Sequence, residues 1–176
     1  MRLFKAFLFG ITGLFVIITL FSLLIPSRVM VSRAVVINDI TPDKIYLQVA
    51  NFEKWQKWHP IFTIDSAKIN CKGAELANSS ETCIIVNRGK EINLSLISAD
   101  TSSIKFLFKA SSENDVENDI VIVPTETKNA IQVEWRAVTK LHWYPWEKFY
   151  GIFIDQLTGN SYDLALHGLK DYLEKN

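Results

Sequence analysis

The apolar positions of this chain change period three times, and each change marks a different kind of element. From Ala6 to Ile25 the run AFLFGITGLFVIITLFSLLI is apolar and uncharged. At a helical rise of about 1.5 Å per residue it covers about 30 Å, the thickness of a hydrocarbon core. It reads as an uncleaved anchor and not as a signal peptide. The run exceeds the usual apolar region of about 7–15 residues, and the SLLIPSR that ends it offers no small-x-small cleavage pattern. Arg2 and Lys5 precede the run, and Arg28 and Arg33 follow it. A very short basic tail ordinarily stays inside, so the reading is a single-pass membrane protein with its soluble domain outside the cytoplasm. The boundaries are an anchor over 1–27 and one folded domain over 28–176.

After Pro26 the stretch RVMVSRAVVIN, Arg28 to Asn38, is rich in β-branched residues and predicts a first strand. The next stretch, DITPDKIYLQVANFEKWQKWHP, changes to helical spacing. Thr41 suits an N-cap, Pro42 the first helical position, and Ile45, Val49 and Phe52 follow three and four apart. One or two short helices are expected to end at His59, because the residue before a proline is pushed out of the α region.

Strict alternation then takes over. FTIDSAKINC, ETCIIVNR, INLSLISA, SIKFLFKA, VENDIVIVP and AIQVEWRAV predict six more strands, with NRGKE as a tight turn. Leu94 shares a face with Ile92 and Leu96, and Phe106 and Phe108 with Ile104. Trp135 shares one with Ile131, Val133 and Ala137, opposite Gln132, Glu134 and Arg136. From Pro145 the period becomes helical again. Phe149, Phe153, Leu157, Leu164, Ala165, Leu169 and Tyr172 recur three and four apart in one long helix, which Gly159 and Asn160 are expected to kink or divide. The class is α+β: a curved antiparallel sheet with one apolar face, which only the last helix can cover. Any gap between them is the natural place for a ligand.

Charge narrows the partners. Lys plus Arg and Asp plus Glu both number 19. Removing residues 1–27 takes away Arg2 and Lys5 and no acid, so the domain is slightly acidic and has no basic face for nucleic acid. No metal or other cofactor is expected: there is no CxxC, and His59, His142 and His167 are far apart in sequence. Cys71 and Cys83 permit a cross-strand disulfide if they lie on the two arms of one hairpin, or else are two small buried thiols; spacing leaves both open.

Candidate chemistry is sparse. His59 as a general base needs an orienting partner, and none is identifiable. Glu113 with Asp115 and Glu117 with Asp119 fall in SSENDVEND, a polar loop and strand edge where solvated charge is expected. Glu134 and Arg136 form a solvated pair if Val133 and Trp135 face the core. Trp55 and Trp58 share one helix face and read first as packing. KLHWYPWEKFYG crowds Trp143, Tyr144, Trp146, Phe149 and Tyr150 into either a packed hinge or an aromatic lip at a bilayer surface.

The segments VMVSRAVVINDITPDKIYLQVANFEKWQKWHPIF, VEWRA and FIDQLTGNSYDLALHGLKDYL, in this order and spacing, resemble the START-like (SRPBCC, helix-grip) superfamily. The resemblance is to its polyketide cyclase/dehydrase-type branch, many of whose members carry an N-terminal membrane anchor, and it covers Val29 to Leu173. It implies a seven-stranded antiparallel sheet wrapped around a long C-terminal helix, with a cavity between them and the W-x-x-W-x-P segment closing one end. Its members include lipid and hormone carriers and aromatic cyclases, and the branch has no universal catalytic motif.

The expected function is a membrane-anchored binding protein for a hydrophobic or amphipathic small molecule such as a lipid. Trp58, Leu94, Ile104, Phe106, Phe108 and Trp135 on the sheet side, with Phe153 and Leu157 on the helix, are expected to line the cavity. Two alternatives stand beside it. One is a cyclase or hydratase, which requires an ionisable side chain of shifted pKa inside the cavity. The other is an interaction module with a filled core.

Overall fold

Antiparallel pairing joins every strand to its spatial neighbour in a computed structural model that describes residues 2–72, 82–110, 114–127 and 129–175. The strands are β1 (Arg28–Asn38), β2 (Lys68–Lys72), β3 (Thr82–Asn87), β4 (Lys90–Asp100), β5 (Ser103–Ala110), β6 (Val116–Pro124) and β7 (Ala130–Lys140). They form one seven-stranded sheet in the order β1-β7-β6-β5-β4-β3-β2. Consecutive strands from β2 to β7 are simple neighbours, and the long-range step is β1 against β7, in register from Arg28 opposite Lys140 to Asn38 opposite Ala130. The turn between β3 and β4 places Arg88 at φ 50° and Gly89 at φ 78°. Both central residues are left-handed, as a two-residue hairpin loop of matching twist requires.

Alternation assigns the faces. Ile131, Val133, Trp135 and Ala137 of β7 are buried, as are Ile104 and Phe106 of β5 and Leu94 of β4. Trp55, Phe52, Phe106 and Trp135 make the aromatic centre of the core, with ring centroids 5.2 Å apart for Phe52–Trp55, 5.3 Å for Trp55–Phe106 and 5.6 Å for Trp55–Trp135. Their polar edges are satisfied: the Trp55 indole donates to the Val49 carbonyl at 2.9 Å, and the Trp135 indole to buried Asn118 Oδ1 at 2.9 Å. Asn118 in turn donates to the Val116 carbonyl at 3.0 Å. Cys71 and Cys83 face each other across β2 and β3 and are joined as a disulfide.

Four expectations are corrected. The helical stretch after β1 does not stop at His59. Helix α2 (Pro42–Val49) is followed by a 3₁₀ turn over Phe52–Lys57 and a further turn, α3 (Pro60–Thr63). His59 is extended, as the residue before a proline must be, and its Nδ1 accepts the Ile61 amide at 3.2 Å, so it caps α3. Because α3 uses Pro60–Thr63, β2 begins only at Lys68 and not at Phe62.

The N-terminal apolar helix, α1, runs Arg2–Ser22 and not Ala6–Ile25. The amides of Leu23, Leu24 and Ile25 reach carbonyls three residues back, which tightens and ends the helix before Pro26. Its Leu3–Ser22 segment is long and apolar enough to cross a membrane.

The last helix, α4 (Pro145–Lys175), is unbroken. Gly159 does not divide it; a β-carbon there would lie 2.1 Å from the Arg33 guanidinium, which bridges to Asp155 at 2.9 Å and Asp163 at 3.0 Å. Gly168 lets α4 touch the segment after α2, since its β-carbon would lie 2.3 Å from the Trp58 carbonyl oxygen. A carbonyl cannot rotate away as a side-chain tip can. Gly168→Ala is therefore expected to force helix and segment apart and destabilise the fold by about 1–3 kcal/mol, outweighing the helix-propensity gain of about 1 kcal/mol. Denaturant unfolding of the full chain in detergent, followed by tryptophan fluorescence, checks this; a variant as stable as the parent contradicts it.

Candidate ligand-binding cavity

The two halves of α4 meet the sheet differently. In its C-terminal half Ala165, Leu166 and Leu169 are buried in the main core. In its N-terminal half Ile154 packs with Val31 and Leu141 in a separate small cluster near β1. Between the two halves the helix leaves space above β5, β6 and β7. An inner chamber of about 350 Å³ is bounded by Trp55, His59, Ile61, Ile85, Ile92, Phe108, Ala110, Trp135 and Ser161. A more open vestibule of about 750 Å³ is bounded by Val31, Ala137, Thr139, His142, Tyr144, Trp146, Glu147, Tyr150 and Ile154. Asn114, Val116, Thr158 and Tyr162 border both and form the neck between them. The inner volume is at the small end of the range for small-molecule sites, and its walls are mostly apolar.

Among the described residues two ionisable side chains face the chamber, and both are neutral at pH 7. His59 lies flat on Trp55, with ring centroids 5.4 Å apart and an interplanar angle of 4°. Burial lowers its pKa to about 4. Since Nδ1 accepts the Ile61 amide, the ring proton sits on Nε2. Tyr162 packs edge-on against Trp135 at 5.3 Å, and burial pushes its pKa up to about 12. Among the described residues no group hydrogen-bonds its hydroxyl. Among the described residues, the chamber therefore offers a ligand neutral hydrogen-bonding groups and no charge.

Among the described residues, the vestibule has one carboxylate, that of Glu147. His142 Nδ1 lies 3.1 Å from both oxygens of Glu147, and Asn114 donates to the same carboxylate. Burial opposes its ionisation, but the hydrogen bonds from His142 and Asn114 outweigh burial and lower the Glu147 pKa. The Glu134–Arg136 pair lies on the outer face, away from the cavity. Two hydrogen bonds from Arg136 and one from the Ser32 hydroxyl at 2.7 Å hold Glu134 at about 2. Glu117 pairs with Lys140, Asp115 with Lys109, and Glu113 lies outside the described residues. Among the described residues, no three His, Cys, Asp or Glu side chains gather in one cluster.

The residues expected to line the cavity fall into three groups. Phe108 and Trp135 are on the chamber wall. Leu94, Ile104 and Phe106 are fully buried in the core beneath it. Trp58 is also buried, one ring behind the wall: it packs on Trp55 at 5.3 Å and its indole donates to the Gln48 carbonyl at 3.4 Å. Phe153 and Leu157 are the correction. They are 52% and 58% exposed and lie on the side of α4 turned away from the sheet.

The helix carries two apolar stripes, and the one facing inward is Ile154, Thr158, Tyr162, Ala165, Leu166 and Leu169. Thr158, Ser161, Tyr162 and Asn114 were not legible as site residues. The available signal was the small and hydroxylated series on the inward stripe of α4, with Gly151 and Gly159 beside it.

No family model matches the sequence, and no curated protein does at the sequence level. Solved structures share its architecture. A START superfamily protein from Mycobacterium smegmatis superposes with a TM-score of 0.62 at 17% identity, covering 84% of this chain and 98% of that one. The di-domain ARO/CYC StfQ of the steffimycin biosynthetic pathway gives 0.63 at 8% identity, over 84% of this chain and 51% of that protein. The XoxI protein from Bacillus cereus gives 0.57 at 15% identity, over 81% and 94%. The chain shares the START-like helix-grip fold with these structures.

The buried neutral imidazole has a consequence for stability. The unfolded chain protonates His59 near pH 6.5, whereas the folded chain resists until about 4. Between these values the unfolded state binds more protons, so stability is complete above pH 6.5 and falls as the pH drops toward 4, by about 2–3 kcal/mol. Glu134, held at about 2, loses its contribution only at lower pH, below the ordinary carboxylate value of 4.5. Urea unfolding of the parent and of His59→Gln between pH 7 and pH 4.5 is expected to show this slope in the parent alone.

Proposed function

We propose that the protein is a membrane-anchored binding protein whose chamber holds a hydrophobic or amphipathic small molecule such as a lipid. The observation that carries this is the chamber itself. A helix and a sheet that could pack flush instead leave a space lined by Trp55, Phe108, Trp135, Ile61, Ile85 and Ile92. Among the described residues its polar groups are uncharged, which suits a ligand with an apolar body and a neutral hydrogen-bonding end. The anchor in this reading is α1, and the Cys71–Cys83 disulfide supports a domain in an oxidising, extracytoplasmic compartment.

A second reading has its own support. A cyclase or hydratase needs an ionisable group of shifted pKa in the cavity, and His59 and Tyr162 both answer that description. A fold shared with an aromatase/cyclase admits such chemistry without assigning it. Against it, the Nδ1 of His59 is occupied by a backbone amide and not by an orienting carboxylate.

Val116 at the neck separates binding from folding. Val116→Trp is expected to plug the passage and cut the apolar ligand co-purifying with the full chain about tenfold, or about 1.4 kcal/mol in affinity, with little change in unfolding temperature. Native mass spectrometry and organic extraction read the occupancy. A parent protein with no bound or loadable apolar ligand overturns the binding reading.

A further inference from the structure

The outer face of α4 carries exposed apolar side chains that the cavity does not explain. Trp146, Phe149, Tyr150, Phe153 and Leu157 recur three and four apart on it, and Trp143 continues the patch into the preceding turn. Trp143 and Trp146 are 64% and 65% exposed. Contiguous exposed apolar surface of this kind marks a site of contact.

The charged residues of this half-helix are all directed elsewhere. Glu147 faces the vestibule, Asp155 is bridged to Arg33 on β1, and Lys148 is buried. The stripe from Trp146 to Leu157 is therefore uninterrupted by charge.

Lys148 also says what lies next to the stripe. Its Nζ donates to the Ile25 carbonyl at 3.0 Å and to the Ser27 hydroxyl at 2.5 Å. The first turns of α4 are thereby pinned to the residues that leave α1. The patch also adjoins the cavity, because Trp146 and Tyr150 belong both to it and to the vestibule rim.

We propose that the outer face of the N-terminal half of α4, with Trp143, lies in the headgroup region of the bilayer that holds α1, and that the vestibule opens onto that surface. The inference rests on the membrane-anchored reading of α1. Tryptophan and tyrosine favour this region, and a helix with one apolar face lies in its plane. The ligand then enters from the membrane and does not cross water, which makes its source the bilayer itself.

The arrangement of tryptophans makes the test direct. Trp55, Trp58 and Trp135 are buried in the domain, Trp143 and Trp146 are exposed, and α1 has none. The full chain is placed in nanodiscs of phosphatidylethanolamine and phosphatidylglycerol whose acyl chains are brominated near the headgroup. Strong quenching of the parent is expected, with most of it lost in the W143F/W146F double variant. Phe153→Glu with Leu157→Glu, both at exposed positions, is expected to weaken quenching while leaving the unfolding transition in place.

Alkaline carbonate extraction of native membranes reads the anchor separately. Release of the protein overturns the anchored reading and this inference with it. Retention with a parent no more quenched than W143F/W146F overturns this inference alone. So does a crosslinked dimer in which a second copy shields both tryptophans from bromine.

Discussion

A single helix must cover a seven-stranded curved sheet, and it touches that sheet closely in only some places. Where α4 carries Gly168 it reaches the Trp58 carbonyl, and where it carries Gly159 it admits the Arg33 guanidinium between Asp155 and Asp163. Thr158, Ser161 and Tyr162, on either side of Gly159, face the chamber that remains between helix and sheet. The cavity is the space left between one unbroken helix and the sheet it covers. The segment from α2 through α3 closes the far end, with Trp55 stacked between His59 and the aromatic core.

This arrangement gives His59 a role that its residue type does not advertise. It caps a helical turn through its own ring and forms part of the chamber wall, all while uncharged. Asn118 does comparable work on β6: a polar residue inside the sheet, committed to the Trp135 indole and so fixing the ring that forms a chamber wall. Both are polar groups whose hydrogen bonds hold an apolar surface in shape.

Much of the architecture was legible from the chain because the two side-chain periods are so different. The alternation in SIKFLFKA and AIQVEWRAV assigned Ile104, Phe106 and Trp135 to the inner face, and the structure agrees. The helix was harder. Phe153 and Leu157 keep a helical period as faithfully as Ile154 and Leu169 do, and periodicity alone cannot say which of two apolar stripes meets the sheet. The site suffered most from this, because its polar members lie on the stripe with smaller and more hydroxylated residues. Likewise, the same pattern that places Leu94 or Ile104 on the inner face does not say whether a cavity or another side chain lies beyond it.

The Lys148 contact to Ile25 and Ser27 limits how far this domain can travel. Only Leu23 to Ser27 separate α1 from β1, and even fully extended such a segment reaches about 15–18 Å. With its last residues fastened to α4, the segment has almost no slack. A carrier that ferries cargo between two membranes needs a leash or none at all. On the anchored reading this chain is a fixed station, and whatever receives or delivers its ligand must come to the same membrane surface.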